Sequence, residues 1–266
     1  LPSPEAGTLD YNPKDFELLR RFYKEMAKQG KDIKSKPYGE LEYRGYPPGD
    51  KFDVCDAGTV TPITTDAANA AKGYPNGTWA TRKKIAKQHK YYVAGIFYFL
   101  QTDESVPANI SQEVKQFGLC KDEWPENNHW PPQLYVREAG RLVGDKVFSQ
   151  NDRLPSTKFC RNDSVAVADW SLDIHIMARI GRVETKTGEI FAWNEGQTPF
   201  DGPYKTFPFE LPYSVLLPKR RELTNLLVPN CPSVSHVAFS AIREEPTLWQ
   251  LGRASGVAAA LAITTR

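Results

Sequence analysis

LPYSVLLPKRRELTNLLVPNCPSVSHVAFSAIREEPTLWQLGRASGVAAALA, residues 211–262, decides how this chain is read. A short apolar run, Leu226-Leu-Val, reads as a strand and is followed by a Pro-Asn-Cys-Pro turn holding Cys231. Ser233, Ser235 and His236 come next, then Arg243-Glu-Glu-Pro, then a helix from about Pro246 to Ile263. Proline suits a first helical turn because its missing N–H would lack an intrahelical partner anyway. Gly252 and Gly256 stand four apart inside that helix, and Ser255, Ala259 and Ala260 keep the same side thin. An interior glycine costs a helix roughly 1 kcal/mol against alanine, so a pair of them needs a reason. Close packing against a neighbouring element is one. A flat cofactor lying against the helix start is the other, since unbonded N–H groups and the helix dipole favour negative charge there, such as that on a reduced flavin. The helix alone leaves both open.

Outward from this stretch, Val165 to Ile180 carries Val165, Val167, Trp170, Leu172, Ile174 and Ile176 at near-alternate positions, which reads as a half-buried strand. On it Asp173 and His175 face one side and can pair. Lys186-Thr-Gly-Glu reads as a hairpin turn between two strands, and Pro199 to Pro212 as an aromatic, proline-rich loop. Nearer the start, Phe16, Leu18, Leu19, Phe22, Tyr23 and Met26 recur at helical spacing after Pro13. A second helix is expected from Trp79 to about Leu100, with Ile85, His89, Tyr92, Val93, Ile96 and Phe97 on one face. A third is expected over roughly Asn109 to Phe117, ending before Gly118. Residues 1–9 and the Pro/Gly-rich segment from Lys36 to Asp50 read as loops, Phe52 to Asp66 as extended chain without a regular strand. Gln133 to Val147 alternates and then breaks at Gly140 and Gly144. Helices, strands and long aromatic loops together indicate an α/β chain with α+β character.

Composition narrows the function classes. Apolar residues make up 40% of the 266 and charged residues 25%, as in folded globular proteins. With 34 basic against 32 acidic side chains the net charge is +2, which gives no electrostatic case for nucleic acid or a membrane surface. The longest apolar stretch, Gly256 to Ile263, is far shorter than the ~20 residues of a spanning helix, so no membrane is expected. The chain opens on Leu1, which reads as a removed signal peptide or other processing. Sequons at Asn76-Gly-Thr, Asn109-Ile-Ser and Asn162-Asp-Ser mark candidate glycosylation sites and point the same way, to a secreted protein. Cys55, Cys120, Cys160 and Cys231 lack metal-ligand spacing, so no metal is expected, and one or two disulfides of unspecified pairing are open. His89 and His129 read as structural, and Arg82, Lys83, Lys84 and Lys87 as a solvated helix face. The Trp124–Trp130 tract reads as loop packing, and no Ser-His-Asp arrangement with a nucleophile elbow is present.

Residues 211–262 resemble the C-terminal signature of a family of FAD-dependent oxidoreductases, mostly secreted, within the broad glutathione-reductase-like flavoprotein fold. YPNGTWATRKKIAKQHKYYVAGIFYFLQ (74–101), HWPPQLYVREAGRLVGDKVFSQND (129–152) and DWSLDIH (169–175) resemble further family blocks in the right order. The likeness covers about residues 50–266 and is weak across 178–206. It implies a substrate or cap region over 1–210, and a segment 211–266 that completes an FAD-binding Rossmann-like domain. It further implies that Asn230, Cys231, Ser233, Gly252, Arg253 and Gly256 are cofactor neighbours. His175, Tyr213, His236 and Arg243 would lie near the reactive face of the flavin, Arg243 offering positive charge unless its glutamate neighbours engage it.

Two departures stand out. Gly140 in REAGR replaces a longer side chain, and no G-x-G occurs anywhere in the chain. The family's G-x-G-x-x-G lets a helix N-terminus approach the pyrophosphate. Its absence implies that the N-terminal nucleotide-binding half is a second polypeptide, from precursor cleavage or another gene, and that this chain alone folds poorly. The expected function is an oxidoreductase moving hydride or electrons between FAD and an organic small-molecule substrate. A non-catalytic flavin or pigment carrier on the same scaffold is the alternative.

Overall fold

The computed structural model describes residues 11–30, 41–44, 51, 53–56, 63–153, 162–196 and 208–265, with side chains at 41–44, 53–56 and 192–194 left aside. In chain order its elements are α1 (Glu17–Lys28), β1 (Leu41–Arg44), β2 (Asp53–Asp56), α2 (Trp79–Thr102), α3 (Ala108–Val114) and β3 (Ser164–Ala168). They continue with β4 (Ala178–Val183), β5 (Ile190–Glu195), β6 (Phe209–Pro212), α4 (His236–Phe239) and α5 (Glu245–Thr264). The mixed helix and sheet expected from the sequence is present. Two units share these elements: residues 1–135 with 175–196, and residues 136–174 with 197–266. The expected loops at 1–9 and at most of 199–212 lie outside the described residues, as do the side chains of Cys55 and Cys160.

The first unit is built on α2. Thr78 caps it, its hydroxyl accepting the Thr81 N–H at 3.2 Å. Phe16, Leu19 and Tyr23 from the α1 region bury against Ile96, Phe99 and Leu100, and α3 adds Ile110 and Val114. Gly95 is required by this packing: a Cβ there would overlap the ring of Phe16. The buried Gln101 amide donates to the carbonyls of Val114 (3.1 Å) and Phe117 (3.3 Å), satisfying acceptors that the end of α3 leaves open. α3 stops at Val114, short of the expected Phe117.

Several expectations are corrected here. β1 and β2 pair antiparallel, Leu41 opposite Asp56, where the sequence reads as loop and irregular chain. The expected strand from 165 to 180 is two strands, β3 and β4, joined by extended chain without a ladder among the described residues. Burial still alternates at Ala166, Ala168, Leu172, Ile174 and Ile176, but Val167 and Trp170 face outward, 45% and 47% exposed. Leu172, Ile174 and Ile176 are buried as expected; nearer the start of the run it is Ala166 and Ala168, not Val167, that face the core. Arg82 is no solvated charge: its guanidinium donates to the carbonyls of Tyr74 and Pro75 and lies over Trp79. The β4–β5 hairpin forms as expected, with Gly188 at φ +72° in its turn. His89 and His129 bond backbone carbonyls, of Ile85 and Glu123.

In the second unit β6 pairs antiparallel with β3, Ala168 opposite Phe209, and α5 lies on β3 through the buried Leu251. Gln250 bonds Val167 in both directions, accepting from its N–H at 3.0 Å and donating to its carbonyl at 2.9 Å. That occupies the open edge of β3, which would otherwise offer unpaired groups. Arg153 is buried, its guanidinium over the Phe209 ring at 4.8 Å and bonded to the Trp170 carbonyl. The expected strand at Leu226–Val228 forms no ladder among the described residues; one bond, Val228 N–H to the Leu216 carbonyl, ties it down. Pro218, Pro229 and Pro232 remove the donors that a longer pairing would need.

Arg20 fixes the end of α2 in the first unit. It donates to Asp103 Oδ2 at 2.7 and 3.1 Å, and Ser105 bonds the same side chain. Burial pushes the Asp103 carboxyl up, but the bonds from Ser105 and Arg20 outweigh it and hold the group below its usual range. A depressed carboxyl adds stability that is full above its unfolded pKa and is lost as pH falls through its folded value. Asp103→Asn is therefore expected to cost ~1–3 kcal/mol at neutral pH. It should also flatten the loss of thermal stability below about pH 4; an unchanged acid profile would contradict this.

Candidate functional site

The second unit brings two irregular segments together, residues 136–149 and 231–236. Ser233 joins them from within the core, with no exposed surface. Its hydroxyl accepts the Gly144 N–H at 2.9 Å and donates to the Lys146 carbonyl at 2.6 Å. Its N–H donates to the Val215 carbonyl, and its own carbonyl accepts from Phe148. The Leu142 N–H to the Cys231 carbonyl and the Ser235 N–H to the Phe148 carbonyl extend the seam, with a parallel bridge between Phe148 and Val234. Gly144 allows this approach: a Cβ there would strike the Leu217 carbonyl and press the Ser233 hydroxyl at 3.2 Å. The break in alternation at Gly144 thus marks a docking point.

This seam assembles a polar cluster. His236 begins α4, capped by the Ser235 hydroxyl. Its Nδ1 lies 2.6 Å from Glu138 Oε2, which also accepts from Arg141 at 2.9 Å. The Nε2 of His236 is buried and meets no hydrogen-bond partner among the described residues. Arg243, 8% exposed, pairs closely with Asp173 and lies 3.4 Å from Glu244; Arg137 reaches the same Asp173 at 3.6 Å. Burial pushes the Glu244 carboxyl above its usual range, opposed by Arg243 and reinforced by Glu245 and Asp173. In place of the expected Asp173–His175 pair, Asp173 pairs with Arg243 within the second unit and His175 with Asp66 at 2.8 Å within the first. Asp173 therefore anchors an arginine.

The other expected site residues fall as follows. Tyr213 is half-buried against the core of the second unit, its N–H on the Asp163 carbonyl. Asn230 is exposed; Cys231 is half-buried with a free thiol, as is Cys120. Gly252, Arg253 and Gly256 lie on an exposed side of α5, and a Cβ at either glycine would meet nothing within 4 Å. At ~1.5 Å rise per residue, Gly252 stands about 10 Å beyond the helix start. The start itself carries Glu244 and Glu245, so it is already furnished with negative charge. The glycine face and the helix start are thus separate places, and the glycine face is the open one. Glu138, Arg141 and Arg137 were not singled out in the sequence, although all three sit in the quoted REAGR block; charged residues interrupting an alternating segment were the available signal.

Ser233→Ala is expected to cost ~1–3 kcal/mol in denaturant unfolding, because it strips partners from the Gly144 N–H and the Lys146 carbonyl. A change within about 0.5 kcal/mol, typical of surface sites, would contradict the role given to the seam.

Comparison with known proteins adds the family. The family model for FAD dependent oxidoreductases matches residues 5–266. Comparison with curated proteins gives no match, and neither does comparison with solved structures. The match takes in every element described above, the seam and its polar cluster included. The chain belongs to the FAD dependent oxidoreductase family, and FAD is the cofactor that family membership assigns to it.

Proposed function

We propose that the second unit carries the flavin-facing surface of an oxidoreductase that moves hydride or electrons between FAD and a small organic substrate. The observation that supports this most is the buried Nε2 of His236, which meets no hydrogen-bond partner among the described residues while Nδ1 of the same ring is held by Glu138. A buried polar atom left unbonded is costly, and an absent ligand or water is a standard reason for one. The open glycine side of α5 also fits a flat group, since nothing in the described residues packs on it. In this reading Gly252, Arg253, Gly256, Asn230 and Cys231 neighbour the cofactor, and Ser233 acts from behind by fixing the seam. Flavin supplies reversible hydride and electron transfer. His236 supplies a hydrogen-bond acceptor at Nε2, and Tyr213 a phenol on the same unit. Arg243 is already matched by Asp173 and Glu244, so it organises the cluster more than it adds free positive charge.

We infer further that the pyrophosphate grip comes from a second polypeptide. On α5, Trp249 and Ile263 are 71% and 76% exposed on the same side as the open glycines. An apolar face of that kind suits a partner element of a nucleotide-binding half. Export and glycosylation at Asn76, Asn109 and Asn162 belong to the same reading; all three asparagines are exposed.

The absorption spectrum of the native protein tests the cofactor reading. Flavin bands that bleach on anaerobic addition of dithionite and of an organic donor are expected; bands that no donor bleaches would favour a carrier, and no visible band would defeat the proposal. A denaturing gel with end sequencing, before and after endoglycosidase, should show two polypeptides and a mass loss on this chain. One continuous, unmodified chain would refute both inferences.

A further inference from the structure

Glu138 determines which nitrogen of His236 is available. Its Oε2 is the only acceptor that the described residues give the imidazole, at 2.6 Å from Nδ1. A carboxylate accepts and does not donate, so the proton of this bond resides on Nδ1. In the neutral ring Nε2 then bears the lone pair. Glu138 is itself held: Arg141 donates to the same Oε2 at 2.9 Å, and the Glu138 side chain is 15% exposed. Arg141 also reaches the Val234 carbonyl at 3.3 Å and lies over the Phe239 ring at 5.8 Å, so it grips the segment that carries His236 on both sides. Carboxylate, guanidinium and imidazole form one braced unit that ends in a buried nitrogen with no partner among the described residues.

We propose that Glu138 is a positioning residue that locks His236 in the Nδ1–H tautomer, making Nε2 an acceptor for an O–H or N–H group of the substrate. This rests on the reading of His236 as substrate-facing. An acceptor at Nε2 selects alcohols or amines, which present a proton there; the opposite tautomer would present a donor and select a carbonyl or carboxylate instead. Arg141 is the brace that keeps the carboxylate from turning to solvent.

Nitrogen-15 NMR of the native, flavin-loaded protein reads the tautomer directly, with the His236 signals identified by their loss in His236→Gln. The wild-type ring should show a protonated Nδ1 and a bare Nε2. Glu138→Leu removes the acceptor and should move the proton to Nε2, whereas Glu138→Gln keeps a carbonyl acceptor and should leave it on Nδ1. A proton on Nε2 in the wild type, or a Leu variant with an unchanged tautomer, overturns the assignment. Should the Leu variant not fold, Glu138→Met, which also removes the acceptor, takes its place with the same expected shift of the proton and the same overturning result. An Nδ1–H ring in a native protein that holds no flavin would uphold Glu138 and defeat the flavin reading separately.

Discussion

The buried hydroxyl of Ser233 is the constraint on which the second unit depends. Residues 136–149 and 231–236 have no long ladder of their own among the described residues, so their backbone groups need partners from elsewhere. One serine supplies four of these bonds: Gly144, Lys146, Phe148 and Val215 all meet it. It has this reach because Gly144 lacks a Cβ, which lets two chains approach to hydrogen-bond distance of one side chain.

The polar cluster follows from that docking. Once 136–149 lies along 231–236, Glu138 meets His236 and Arg141 folds back over Phe239. Arg137, one residue earlier, turns to Asp173 and joins Arg243. The acids Glu138, Asp173 and Glu244 stand against Arg137, Arg141 and Arg243, so the charges are compensated, and the buried Nε2 of His236 meets no partner among the described residues. Glu244 is raised by burial, so its ionised form costs stability at neutral pH and that cost fades as pH falls through its raised pKa.

Local signals made the helices legible. The apolar spacing of α2 placed its start near Trp79, where the structure shows Thr78 as its cap, and Pro246 with the small residues that follow placed α5. The Thr-Gly turn gave the β4–β5 hairpin. The missed features are those that local pattern does not carry. Leu226-Leu-Val is apolar enough for a strand, yet the prolines around it forbid a ladder. Val167 reads as core yet faces outward, because the small Ala166 and Ala168 take the inner side of β3 under α5; Trp170, just past the end of β3, is also exposed. His236 and Arg243 were legible as candidates through the family likeness, and Glu244 as a neighbour able to engage Arg243, but their distant partners were not. Glu138 lies 98 residues from His236 and Asp173 lies 70 from Arg243, and such pairings are set by tertiary docking alone.

The central claim is that the flavin of this family member lies against the second unit, between the seam and the glycine side of α5. Amide hydrogen exchange of the native protein, with flavin bound and after its removal, tests this most directly. The account predicts that loss of flavin speeds exchange in residues 136–149 and 231–256 and leaves α1, α2 and α3 unchanged. Exchange that changes only in α1, α2 and α3, with the seam and α5 unaffected, would contradict it.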